Sequence, residues 1–365
     1  MLPIIIAHYL ILRKMIESNS KSNSQFAFEL KVIAEASNPI EAMEIQKRIK
    51  PDVITLDLNM PKMDGLTYLR QYMVTNPVPT IIITDYNHND TRPMFEALEV
   101  GAFDYIKKPS FADMEKLLDE KSSSEKPLND LSEKIISAFC NSKKLKNRLS
   151  MMLRNNSNCN TSNGSNLTIL SDQHLIIHLW SIGASTGGTE AIQNILISLP
   201  AKIPPILIVI HMPPVFTNAF AERLNELCKF KVKEASNDDI IEESTVYIAP
   251  GDRQMKVLEE GRKIKIKINQ DPVLNRFRPS VDYLFNSLQS IKHRKIVATL
   301  LTGMGDDGAR GLLNLKKLGV TTIAQDETTC IVFGMPKVAI QMGGVVYIEK
   351  LLDISARMIQ VTKTM

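Results

Sequence analysis

Short apolar runs alternate with helix-periodic segments along almost the whole chain, and this alternation limits the possible folds more than any other feature. In the first 110 or so residues "LPIIIA", "LKVIAEA", "DVITLDL", "TIIITD" and "FDYIKKP" read as strands, separated by helical stretches such as "PIEAMEIQKRI" and "TRPMFEALEVGA". Five strands with helices between them predict a parallel, doubly wound sheet. Open sheets of this kind gather ligands at the carboxyl ends of their strands, so residues leaving those ends are where chemistry is expected.

Between 121 and 172 the pattern gives way to polar helix-like sequence and then to "NNSNCNTSNGSN", which reads as an interdomain linker. Beyond it "LIIHLWSIGA", "PPILIVIH", "STVYIAP", "KIVATLLTG" and "VTTIAQ" are again buried-strand runs. The reading is therefore α/β throughout: residues 1–120, a linker, and a second domain over 173–365 with a mostly parallel sheet.

Composition removes several function classes. Cys140, Cys159, Cys228 and Cys330 lack metal-finger or redox spacing, so neither a zinc site nor a disulfide framework is expected, and a reducing cytoplasm is the simplest location. The apolar start "MLPIIIAHYLIL" is too short for a span and has no basic lead, so direct membrane insertion is not expected. Net charge is +4 with both signs mixed, and the lysines of "NSKKLKNR" have no interleaved aromatics, which reads as a solvated face and not as a nucleic-acid site.

In the first domain "DVITLDLNMPKMDGLTYL" puts Asp57 at the end of a strand, Thr84 ends the next, and Lys108 follows "FDYIK", with Tyr105 three residues earlier. On these positions residues 1–120 resemble the receiver domain of two-component response regulators. The resemblance implies that Asp57 accepts a phosphoryl group from a histidine kinase, that Lys108 and the Thr84 hydroxyl contact it, and that Tyr105 reports the switch. A carboxylate nucleophile does need cationic and hydroxyl partners for the charge it gains. The family also holds Mg²⁺ between this aspartate and an acidic pair after the first strand, and Ala7 and His8 stand where that pair belongs. Mg²⁺ prefers oxygen ligands, so the expectation is a receiver that is weakly phosphorylated or independent of phosphate.

In the second domain Gly183-Ala-Ser185-Thr-Gly187 fits the G-x-S-x-G elbow, in which glycines turn a strand sharply into a helix and expose the serine. Small residues at a helix start also cradle phosphates, so the motif alone leaves both readings open. A serine nucleophile needs a base and the base an orienting group. His211 closes "PPILIVIH", and Asp306 and Asp307 lie in the turn "LLTGMGDDGARG". Taken singly, the histidine could be a core residue and the acids a helix cap or metal ligands. The order Ser, His, Asp differs from that of the α/β-hydrolases and argues against that fold.

"IGASTGGTEAI", "HMPPVFTNAFAERLNELC", "YIAPGD", "NRFRPSVDYLF", "LTGMGDDGARGL" and "FGMPKVAI" together resemble the protein-glutamate methylesterases of bacterial chemotaxis, the CheB family, whose domain order also begins with a receiver. The resemblance implies a Ser185–His211–Asp307 triad, with Asp307 and not Asp306 as the third member, and an oxyanion-hole backbone group at Met304. It implies hydrolysis of glutamate methyl esters on chemoreceptors, deamidation of receptor glutamines at the same site, no metal for catalysis, and control by the receiver. Arg276 and Arg278 of "NRFRPS" are candidates for facing acidic receptor helices or the receiver. The alternatives are a receiver-linked binding or regulatory protein with an inactive esterase domain, and a transcription factor, which the lack of a compact helix-turn-helix in the second half disfavours.

Overall fold

The computed structural model describes residues 30–84, 91–108, 130–145, 170–171, 178–261 and 263–364, with residues 7–12 and 126–129 as backbone only. It divides into two compact units, Met1–Cys159 and Asn160–Met365.

The first unit runs β1 (Ala7–Leu12), β2 (Leu30–Ala36), α1 (Pro39–Gln46), β3 (Val53–Asp57), α2 (Gly65–Thr75), β4 (Thr80–Thr84), α3 (Arg92–Val100), β5 (Asp104–Lys107) and α4 (Lys126–Cys140). The five strands lie in the order β2-β1-β3-β4-β5. Every residue of β3 is buried, as a strand covered on both faces requires. β3, β4 and β5 are parallel neighbours, as the alternation predicts. β1 departs from it. It is antiparallel to both β2 and β3, and it occupies Ala7–Leu12, not "LPIIIA", of which only Ala7 lies within the described residues. An apolar run records that a strand is buried and says nothing of its direction. The reversal still starts β1 at the functional edge, with Ala7 opposite Ala36, the last residue of β2.

Part of the segment read as linker is ordered structure. Helix α4 packs against β3 and β4, with Ile135 and Ala138 buried. Lys134 Nζ donates to the Tyr105 carbonyl at 2.8 Å and lies 3.3 Å from the Asp104 carboxylate. The polar sequence of this helix conceals a narrow apolar stripe, and that stripe sets its packing. The serine- and asparagine-rich part of the linker, residues 155–166, lies outside the described residues.

The second unit runs β6 (His178–Ala184), α5 (Gly188–Ser198), β7 (Ile206–Ile210), α6 (Phe216–Leu227), β8 (Lys231–Glu234), β9 (Thr245–Ile248), β10 (Gln254–Glu260), β11 (Lys263–Asn269), α7 (Val281–Leu288), β12 (Lys295–Leu300), α8 (Ala309–Lys317), β13 (Thr321–Gln325), α9 (Met335–Gln341), β14 (Tyr347–Glu349) and α10 (Leu351–Thr364). Its seven-stranded sheet has the order β14-β13-β12-β6-β7-β9-β8, and every pairing in it is parallel. From β6 the chain builds one side through β7, β9 and β8, then crosses to the other through β12, β13 and β14. The order reverses beside β6, and such a switch point is where open α/β sheets form their crevice.

β10 and β11 form a separate antiparallel hairpin. Its inner residues Met255, Val257, Ile264 and Ile266 share one core with Val281, Leu284 and Phe285 of α7 and Leu312 and Leu315 of α8. On the sheet, Trp180 of β6 is fully buried and its indole N–H donates to Thr362 Oγ1 of α10 at 3.0 Å, so an amphipathic side chain keeps its one polar atom satisfied. Among the described residues no helix is long and apolar enough to cross a membrane.

Candidate active site

Parallel register brings the serine and the histidine together. Ala184 of β6 pairs with Ile210 of β7, and the His211 N–H continues the ladder by donating to the Ala184 carbonyl at 3.2 Å, so Ser185 and His211 leave neighbouring strands at the same level. Gly187 sits at φ 77°, a left-handed conformation that glycine adopts at no steric cost, and the Gly188 N–H closes the turn on the Ser185 carbonyl at 2.7 Å. On the other side Ser185 N–H donates to the Thr302 carbonyl at 3.0 Å. The elbow is thus held by backbone on both flanks, and Ser185 Oγ itself forms no hydrogen bond among the described residues.

Asp307 is fully buried and collects donors from three directions. Its Oδ2 accepts from His211 Nε2 at 2.8 Å and from the Val281 N–H at 2.7 Å. Its Oδ1 accepts from Ser280 Oγ at 2.7 Å, Asn275 Nδ2 at 2.8 Å and the Asp282 N–H at 3.2 Å. Val281 and Asp282 open α7, so the carboxylate rests on the positive end of a helix and takes up N–H groups that the helix cannot satisfy internally. Burial pushes the carboxyl pKa up, but the hydrogen bonds from His211, Asn275 and Ser280 more than offset it and hold the group below the usual carboxylate value. Asp306, the other acid of the turn, is exposed.

With Nε2 turned to Asp307, His211 Nδ1 is left buried and without a partner. The ring nitrogens are therefore used in the sense opposite to the chymotrypsin-type arrangement, in which Nδ1 faces the acid. Among the described residues Ser185 Oγ and His211 Nδ1 form no hydrogen bond with each other. Phe277 lies flat on the imidazole, with ring centroids 3.6 Å apart and planes 8° from parallel.

Gly303 fixes the fourth element. Its N–H donates to the Val332 carbonyl, and its carbonyl accepts from the Gly334 and Met335 N–H groups at the start of α9. A Cβ at this position would lie 2.3 Å from Met335 Sδ and 2.8 Å from Ser185 Cβ. Gly303→Ala should therefore cost roughly 1–3 kcal/mol of stability through overpacking. Thermal unfolding checks this, and an unchanged melting temperature would mean that the crowding is relieved by a small shift. The next residue, Met304, has a backbone N–H with no partner among the described residues.

Asn275, Phe277, Ser280 and Asp282 reach this site although sequence reasoning singled out Arg276 and Arg278 of the same segment. Arg278 binds Asp252 Oδ1 through Nε at 2.9 Å and Nη2 at 2.6 Å. Arg276 is exposed. The available signal was Ser280 after a proline and before "VDYLF", an N-cap at the head of an amphipathic helix.

In the first unit Asp57 is buried at the end of β3, its Oδ2 3.0 Å from Lys108 Nζ and its Oδ1 accepting from the Asn59 N–H at 2.9 Å. Thr84 and Tyr105 are both buried, and Lys134 Nζ lies 5.5 Å from the Tyr105 ring centroid. Among the described residues no group of three or more His, Cys, Asp or Glu could hold a metal ion.

A parallel sheet with a histidine and a buried acid converging on an elbow serine defines a serine-hydrolase-type site, in a chain that also carries a receiver-like unit. The family model of the CheB methylesterase matches residues 180–358, and that of the response regulator receiver domain matches residues 20–120. A protein-glutamate methylesterase/protein-glutamine glutaminase of Photorhabdus laumondii is 41% identical over 349 residues, covering 96% of this chain and 92% of that one. Its counterpart in Yersinia pestis is 39% identical over 331 residues, 91% and 89% of the two chains. The crystal structure of the Thermotoga maritima CheB methylesterase catalytic domain aligns with a TM-score of 0.50 at 36% identity, covering 51% of this chain and 98% of that one. The chain belongs to the CheB methylesterase family.

Proposed function

We propose that this protein hydrolyses glutamate methyl esters on chemoreceptors and deamidates receptor glutamines, using Ser185 as nucleophile, His211 as base and Asp307 as orienting acid. The observation that carries this reading is the 2.8 Å bond between His211 Nε2 and Asp307 Oδ2, which leaves Nδ1 buried and unpartnered at the end of the strand neighbouring the one that Ser185 ends. Ser185 Oγ attacks the side-chain carbonyl carbon while Nδ1 takes its proton. The tetrahedral oxyanion is met by backbone N–H groups including that of Met304, a contribution of about 3 kcal/mol per donor. Nδ1 returns the proton to the leaving methoxide, methanol departs, and water cleaves the acyl-enzyme by the same relay to give glutamate. With a glutamine substrate the leaving group is ammonia. The anionic Asp307 stabilises the imidazolium formed in each half-reaction. Methanol release from receptors carrying radiolabelled methyl esters tests the reading, and purified protein that releases none refutes it.

The receiver-like unit gives the reading its regulatory side, with the chemotaxis histidine kinase as the phosphodonor in the family's arrangement. Mg²⁺ does not fit the residues present. Ala7 offers no ligand atom, and imidazole, the group His8 carries, is a poor ligand for so hard a cation. Without the ion, charge on a transferring phosphoryl group lacks its main neutraliser, and the Lys108 ammonium beside Asp57 is the cation that remains. Asp57 should therefore retain less label from a small radioactive phosphodonor than an ordinary receiver does. Labelling at the ordinary level, abolished by Asp57→Ala, would overturn this.

A further inference from the structure

We infer that Asn275 and Phe277 act as positioning residues, two arms of one tight turn that hold the acid and the base in register. The inference rests on the triad proposed above.

The turn spans Leu274–Phe277 and is closed by reciprocal backbone bonds, Phe277 N–H to the Leu274 carbonyl at 2.9 Å and Leu274 N–H to the Phe277 carbonyl at 3.1 Å. Both central residues are left-handed, Asn275 at φ 51° and Arg276 at φ 71°. That is a type I′ geometry, which asparagine tolerates and arginine adopts at a cost. Strain of this kind persists where the surroundings impose it, and here both flanks of the turn engage the site.

Asn275 uses its carboxamide N–H groups to join two buried carboxylates, Asp307 Oδ1 at 2.8 Å and Asp282 Oδ2 at 2.7 Å. Asp282 is held on its other oxygen by the Gly311 N–H at 2.6 Å. Burial first, and then the charge of Asp307, push the Asp282 carboxyl above its usual value, against the pull of these hydrogen bonds. Two carboxylates this close need a donor between them, and an asparagine with left-handed backbone supplies it without adding charge.

Phe277 acts on the imidazole. His211 has one hydrogen bond on the ring, at Nε2, so that bond alone leaves the tilt of the ring plane free. A phenyl face at 3.6 Å and 8° fixes it and so aims Nδ1. The same face presents the negative side of an aromatic quadrupole to a ring that becomes cationic when Ser185 loses its proton. The face thus meets charge that develops during the reaction, not on substrate binding. Asp307 is bonded at Nε2, with Asp282 behind the Asn275 bridge, and substitutions at Phe277 keep both.

The test compares Phe277→Leu, Phe277→Tyr and Ser185→Ala with wild type in the full chain, using receptors with radiolabelled methyl esters. Phe277→Leu should lower kcat about tenfold with KM unchanged, because an aimed base is lost and substrate contacts are not. Phe277→Tyr should restore kcat. Thermal unfolding of Phe277→Leu separates loss of fold from loss of alignment. A change confined to KM, or failure of the tyrosine to rescue a folded protein, would each overturn the inference while leaving the triad standing. Full activity in Ser185→Ala would instead overturn the triad.

Discussion

Ser185→Ala is expected to reduce methanol release from methylated receptors about a million-fold, the scale on which serine hydrolases lose turnover without their nucleophile. It should do so without loss of stability. The Ser185 hydroxyl bonds nothing among the described residues, so its removal leaves no buried partner there unsatisfied, and the elbow is held by the backbone of Gly188, Thr302 and His211. Activity measured beside a thermal melt makes the check. A variant that melts with the wild type yet turns over at a comparable rate would require a different nucleophile. Some rate above uncatalysed hydrolysis should survive, because the oxyanion donors and the bound geometry remain.

Asp307→Asn should be nearly as damaging, by about ten-thousand-fold, for a different reason. Both carboxylate oxygens accept, Oδ2 from His211 Nε2 and the Val281 N–H, Oδ1 from Ser280, Asn275 and the Asp282 N–H. Whichever oxygen becomes NH₂, donors meet donors. With the amide nitrogen toward His211, the ring can respond only by presenting a lone pair at Nε2, which puts its proton on Nδ1 and removes the proposed base. With the nitrogen on the other side, Asn275 and the Asp282 N–H lose their acceptor. Stability should fall as well, in contrast to the serine variant. The Asp307 carboxyl is held below its unfolded value, so its contribution is present above the unfolded pKa and is lost as pH falls through the folded one. In Asp307→Asn that portion of the acid sensitivity should disappear. Unfolding measured from neutral to acid pH checks it, and a variant with the wild-type acid profile would show that the carboxylate is not held as described.

The three residues of the proposed triad were legible in the sequence because parallel strands that are buried on both faces are continuous apolar runs, and the residue at which each run stops lies on the ligand edge. Ser185, His211 and the Asp306–Asp307 pair all stand at such stops. Choosing between the two aspartates took the family resemblance, and burial of Asp307 against α7 supplies the physical reason. Asn275 and Phe277 were not legible, since their place depends on where the β10–β11 hairpin carries the following segment. No local periodicity encodes that approach. The β10–β11 strands themselves are amphipathic and lie outside the main sheet, so they lack the continuous apolar signature of β7 or β12. β8, KVKE, buries only its valine and so lacks an apolar run, and β14 has three residues. In the first unit the strands that end in Asp57 and Thr84 were readable, whereas the direction of β1 was not. Helix α4 hid within apparent linker because only Ile135, Ala138 and a few neighbours face inward.

The bed of N–H groups under Asp307 makes this acid a keystone of α7 as much as a part of the proton relay. A lineage that abandoned the reaction would still be obliged to keep it, because discarding it unseats a helix. Ser185 has no such second employment and could drift to alanine or glycine unnoticed by the fold. Its persistence here is therefore the more telling sign of an enzyme still in service, and a decayed descendant would be recognised first by a missing hydroxyl above an intact aspartate.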